Sequence, residues 1–68
     1  MITLFSTGCP RCLVLEQKLK QQGINFKIEH DIQEIIEKGF MSAPILKVNN
    51  RYLEFGEAVK WINNYDIS

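Results

Sequence analysis

The chain has 68 residues, 46% of them hydrophobic, and its Lys and Arg balance its Asp and Glu to a formal net charge of zero. That length allows a single domain over residues 1–68, near the lower limit of unassisted folding, and the apolar fraction excludes a disordered tail. Neutrality removes the electrostatic case for nucleic acid or an anionic membrane as partner, and no apolar stretch approaches the ~20 residues of a bilayer span.

Residues Met1 to Phe5 alternate apolar and polar, with Ile2, Leu4 and Phe5 pointing to a buried strand that Ser6-Thr7-Gly8 ends. Pro10 suits the first turn of a helix, where its missing N–H has no intrahelical partner. From Pro10 to Gln22, Cys12, Leu15 and Leu19 form an apolar stripe that Leu13 and Val14 widen, and Glu16 and Lys20 make an i,i+4 pair on the other side. Gly23 follows as the residue beyond the C-cap. Ile24 to Glu29 alternates strictly, as a half-buried strand does. Asp31 is expected to N-cap a short helix presenting Ile32, Ile35 and Ile36, with Glu34 completing a capping box and Gly39 ending it.

The segment Phe40-Met41-Ser42-Ala43-Pro44 reads as an irregular connection, because Pro44 cannot donate to a sheet ladder. Ile45–Val48 and Arg51–Leu53 then flank Asn49-Asn50, residues that tolerate positive φ in a two-residue hairpin turn. A last helix is expected from about Gly56 to Tyr65, with Ala58, Trp61, Ile62 and Tyr65 on one face. The order is β-α-β-α-β-β-α. It predicts a parallel first pair with a right-handed crossover and a closing antiparallel hairpin.

Cys9 and Cys12 admit three fates: a redox couple, half of a metal site, or two buried apolar residues. With Cys9 at the N-cap and Pro10 at the first helical position, the Cys9 sulfur faces unpaired N–H groups and the positive end of the helix dipole, which favours thiolate. Arg11 adds a fixed charge beside it. Cys12 lies one turn in, on the apolar stripe. An exposed, acidified sulfur can attack a disulfide and a shielded one can resolve the intermediate. A Cys-x-x-Cys pair that follows a strand and opens a helix within a βαβ pattern is the arrangement of a thioredoxin-like redox site. Structural zinc would need four ligands, and beyond the two cysteines the chain offers one distant histidine, His30, which otherwise reads as a surface residue. Trp61 and Tyr65 read as core. The Met1–Phe5 start lacks the basic n-region of a secretory signal, so a cytoplasmic location is expected, and there a close cysteine pair is catalytic or metal-binding rather than a permanent staple.

The chain resembles the smallest glutaredoxin-like and thioredoxin-like proteins, among them the small redoxins that donate electrons to ribonucleotide reductase. The resemblance spans essentially the whole length. It rests on Leu4-Phe5-Ser6 leading into Cys9-Pro10-Arg11-Cys12, on Ser42-Ala43-Pro44 before a strand, and on the closing hairpin and helix. It implies an α/β protein with a minimal thioredoxin fold, a four-stranded mixed sheet with three helices, the first strand central and the last at an edge. Pro44 would be cis and pack against the active-site disulfide, and Ala43 would offer its backbone N–H and C=O to an extended substrate. The implied activity is a dithiol–disulfide oxidoreductase that reduces protein disulfides, with Cys9 attacking, Cys12 resolving, and Pro10 and Arg11 tuning the helix end beside the substrate.

No bound cofactor or metal is expected; glutathione or a thioredoxin reductase would supply electrons to a monomer. The alternative is a non-enzymatic module that holds zinc or an iron–sulfur cluster through the same two cysteines. The sequence also departs from glutathione-using relatives. Ser6-Thr7-Gly8 has no lysine before the first cysteine, Arg11 replaces the usual tyrosine, and the Gly-Gly turn is reduced to Phe55-Gly56-Glu57. Arg11 can stand in as the anion partner, or it is a solvated helix charge. The second strand has no clear counterpart of the buried acid that serves the second cysteine in larger thioredoxins.

Overall fold

A computed structural model describes residues 1–65. Seven elements follow one another: β1 (Ile2–Phe5), α1 (Pro10–Gln21), β2 (Lys27–Glu29), α2 (Gln33–Glu37), β3 (Ile45–Val48), β4 (Arg51–Leu53) and α3 (Phe55–Asn63). The expected order and the α/β class both hold. The four strands form one mixed sheet in the order β2-β1-β3-β4. β1 runs parallel to β2 and antiparallel to β3, and β3 and β4 form the antiparallel hairpin. β1 is thus interior and β4 is an edge. No helix among the described residues is long and apolar enough to cross a membrane.

Strand alternation divides the core between the two faces of the sheet. Leu4 and Leu46 point toward α1 and α3, where Leu15, Leu19, Ile24, Leu53, Ala58 and Ile62 complete the larger cluster. Phe5 and Ile45 point the other way and meet Ile35 of α2, with Ile32, Phe40 and Tyr52 around them. Both faces of β1 are covered, which is why Leu4 and Phe5 are adjacent in sequence and both buried. Burying one such side chain contributes roughly 1.5–3 kcal/mol, so ten buried Leu, Ile and Phe side chains hold together a domain this small.

Several boundaries differ from the sequence expectation. β2 begins at Lys27 rather than Ile24 because the chain first closes α1: the Gly23 N–H donates to Lys20 O and the Ile24 N–H to Leu19 O. That pair of bonds requires the left-handed φ of 70° at Gly23. Leu13 and Val14, expected to widen the buried stripe, are 52% and 40% exposed, so α1 buries only Cys12, Leu15 and Leu19. Ile36 is likewise exposed, while Ile35 is buried.

The capping box at α2 does not form. Ile32 is the N-cap, without a side-chain bond, while Asp31 Oδ1 accepts the Gln33 N–H at 3.0 Å and Glu29 Oε1 accepts the Asp31 N–H at 3.1 Å. The Glu34 carboxylate turns to the sheet instead, accepting from Lys47 Nζ at 2.8 Å and from the Tyr52 hydroxyl. There the carboxylate meets an ammonium and a hydroxyl together, where a capping box would offer it a single backbone N–H. The hairpin turn is as expected, with Asn49 at φ 57°. α3 starts one residue early, at Phe55, and ends at Asn63. Trp61 and Tyr65 are only partly buried against the larger cluster, and their rings meet at a tilt with centroids 5.2 Å apart.

Candidate active site

The loop after β1 delivers both sulfurs. Ser6 extends the strand by one bond, its N–H donating to Glu29 O at 3.0 Å. Gly8 then turns the chain at φ 82°, and Cys9 takes the extended N-cap conformation with Pro10 at the start of the helix. The Cys9 Sγ accepts the Cys12 N–H at 3.3 Å. This is the N-cap geometry read from Cys9-Pro10, and it places a backbone donor on the more exposed of the two sulfurs. Both thiols are free, with Cys9 half-buried and Cys12 fully buried.

The Cys12 thiol titrates below its ordinary value. Burial pushes the Cys12 thiol up, but hydrogen bonds with the Cys9 thiol, the Ser6 hydroxyl and the backbone of Thr7 and Cys9 outweigh it, bringing it from 9.0 down to about 7. When the charge resides on Cys9, the Cys12 N–H is already aimed at it.

Behind the loop, His30 Nδ1 lies 3.1 Å from the Ser6 carbonyl. A carbonyl can only accept, so Nδ1 carries the proton and donates. His30 is exposed, as the sequence suggested, but it also pins the backbone on which the cysteine loop hangs. Neither Ser6 nor this use of His30 was singled out from the sequence. The available signal was a hydroxyl residue directly continuing a strand whose last two residues are both apolar. Such a position is buried, and its polar atoms need partners.

The connection before β3 comes close to the first helix on the other side. The Ala43–Pro44 peptide is cis, and Pro44 is buried. Among the described residues, the Ala43 N–H and C=O take no part in a backbone hydrogen bond. They border a groove of about 300 Å³ that Arg11, Met41, Glu54 and Phe55 also line. The Arg11 guanidinium lies 5.4 Å from the centre of the Phe55 ring, a cation–π contact made by a residue that stays solvent-exposed. Neither cysteine borders the groove; Arg11 links it to the cysteine loop. The structure therefore places Pro10, Arg11 and Cys12 on the opening turns of α1, and Arg11, Ala43 and Pro44 around one groove.

A larger hollow of about 620 Å³, between β4 and α3, is lined by Arg51, Leu53, Lys60, Trp61 and Tyr65, and none of the cysteine-loop or Ala43-Pro44 residues borders it. Among the described residues no group of three or more His, Cys, Asp and Glu gathers as a metal site would require. Comparisons with protein-family models, with curated proteins and with solved structures each gave no match.

Proposed function

We propose that the protein is a dithiol–disulfide oxidoreductase of minimal thioredoxin type that reduces protein disulfides. The observation that carries the reading is the cysteine pair itself. A half-exposed sulfur at a helix N-cap accepts a backbone N–H at 3.3 Å, beside a buried thiol brought down to about 7. A resolving thiol that titrates at about 7 supplies the thiolate the second step needs at neutral pH, and the backbone N–H at Cys9 Sγ favours charge on the attacking sulfur.

In the proposed cycle the Cys9 thiolate attacks one sulfur of the substrate disulfide. The S–S bond breaks, and the other substrate sulfur departs with the electron pair and takes a proton from water. The Cys12 thiolate then attacks Cys9 Sγ, the mixed disulfide breaks, and the second substrate thiolate leaves. The protein ends as the Cys9–Cys12 disulfide, two electrons poorer. The unpaired Ala43 N–H and C=O suit the backbone of an extended substrate segment beside the groove, with Pro10 and Arg11 on its helix side. Ribonucleotide reductase is a candidate acceptor, and glutathione or a thioredoxin reductase a candidate donor.

Reduction of a protein disulfide, followed with each donor system in parallel, tests the proposal. Cys9→Ser should abolish turnover and Cys12→Ser should arrest the cycle at a mixed disulfide with substrate. Full activity in Cys9→Ser would refute it.

A further inference from the structure

The side of α1 that no other element covers carries the exposed residues Pro10, Leu13, Val14, Gln17 and Gln21. They recur at i, i+3, i+4, i+7 and i+11, so they form one line along the helix. None is charged, and the first three are apolar. A helix that already buries one stripe, here Cys12, Leu15 and Leu19, ordinarily turns charged and polar residues outward. Farther along α1 Lys20 pairs with Glu16 at 3.1 Å in the usual way, but the line that starts at Pro10 departs from it. Exposed apolar residues scattered singly need no explanation, as with Ile36 on α2, whereas contiguous ones mark a contact surface.

The patch adjoins the half-buried sulfur. The Leu13 N–H donates to the Cys9 carbonyl at 3.1 Å, which sets Leu13 one helical turn, about 5.4 Å, below Cys9. Pro10 follows Cys9 directly, and Val14 lies one turn beyond Pro10. Arg11 stands about 100° farther round the helix, on the flank of Phe55 and the groove. A protein disulfide that reaches Cys9 Sγ brings its own chain with it. The residues flanking the attacked cysteine start about 3.8 Å from it, so they come down on the side chains around Cys9. On the flank away from the groove those side chains are Pro10 and Leu13, then Val14. A charged group pressed there would be desolvated without a partner, whereas an apolar side chain gains by burial.

We propose that Pro10, Leu13 and Val14 form a docking ridge for the protein segment that carries the substrate disulfide, and that the ridge selects segments with an apolar side chain next to the attacked cysteine. The proposal rests on the dithiol reading above and gives it a substrate class. The ridge takes no part in the thiol exchange and acts by binding alone. The substrate is then held at two places, its backbone beside Ala43 and its apolar side chain on the opposite flank of the α1 start.

Two symmetrical peptide disulfides serve as probes, one with leucine on each side of its cysteine and one with serine there. The reduced protein, freed of reductant, is mixed with an excess of either peptide, and the released peptide thiol is measured by chromatography after an acid quench. Both peptides meet the same two sulfurs, so any change in thiol reactivity cancels in the ratio of their rates. Wild type should prefer the leucine peptide by roughly fivefold, the effect of partly burying one such side chain. In Leu13→Gln and in Val14→Gln the ratio should fall toward one, while Ile36→Gln, an equally exposed site on α2, should keep it. Equal rates for the two peptides in wild type would overturn the inference, as would a ratio that survives both α1 substitutions or falls as far in Ile36→Gln. So would a wild type that self-associates in sedimentation and becomes monomeric in Leu13→Gln, because the ridge would then belong to a second copy of the chain. Failure of the dithiol reading itself would look different, with neither peptide reduced by wild type, or with both still reduced by Cys9→Ser.

Discussion

The buried thiol of Cys12 should make the stability of the reduced protein rise with pH. In the folded chain it titrates at about 7, against 9.0 for an unperturbed thiol. Above about pH 7 the unfolded chain therefore binds more protons than the folded one, and stability grows with pH until the unfolded thiol also ionises. Each unit of difference is worth about 1.4 kcal/mol, so the reduced protein should gain roughly 2 kcal/mol between about pH 6 and pH 9. That contribution is present above the ordinary thiol range and is lost as pH falls through about 7. For a domain of this size about 1 kcal/mol moves the midpoint by roughly 4–8 °C, so the thermal transition should shift upward by roughly 10 °C. Urea unfolding under a non-thiol reductant, followed by Trp61 fluorescence, measures it directly. Cys12→Ser, and the wild type oxidised to its disulfide, should each lose the increment. A stability profile that is flat or falling over this range in the reduced wild type would refute the argument, because the proton count then would not differ between the two states.

Leu15 is fully buried in the larger cluster, so Leu15→Ala should cost about 2–5 kcal/mol. That rivals the whole stability of so small a core, and loss of the cooperative melting transition by circular dichroism is the expected outcome. At the α2 face, hydrogen bonds from Lys47 and Tyr52 hold the Glu34 carboxyl below its usual range, and the same carboxylate holds the Tyr52 phenol above its own. Glu34→Gln should therefore let Tyr52 ionise at lower pH, read from phenolate absorbance in a Tyr65→Phe background. The stability difference between Glu34→Gln and wild type should be present at neutral pH and vanish in acid as the depressed carboxyl is protonated.

What local chemistry could decide was legible in the sequence. Gly23 and Gly39 stop two helices because the bonds that close them need a left-handed residue, here at φ 70° and 96°. Asn49 turns the hairpin for the same reason. The spacing of Cys12, Leu15 and Leu19 named the buried stripe of α1, and Cys9-Pro10 named its start. Each of these choices is made within a few residues, where backbone sterics and periodicity outweigh anything distant.

Competition between distant partners was decided only by the fold. Glu34 gives up a capping box for Lys47 and Tyr52, residues that reach it only once the hairpin lies beside α2. Leu13 and Val14 sit on the apolar side of α1 by spacing, yet remain exposed because no element covers that edge. Ser6 and His30 are 24 positions apart, and their contact exists only because β2 pairs with β1 in register. The same holds for the two thiols. Sequence identified both sulfurs and their order along the helix, but the Cys12 thiol is brought down to about 7 because hydrogen bonds assembled by the fold outweigh the burial that pushes it up. A charge in a buried site is set by the donors that surround it, and those donors are assembled by folding.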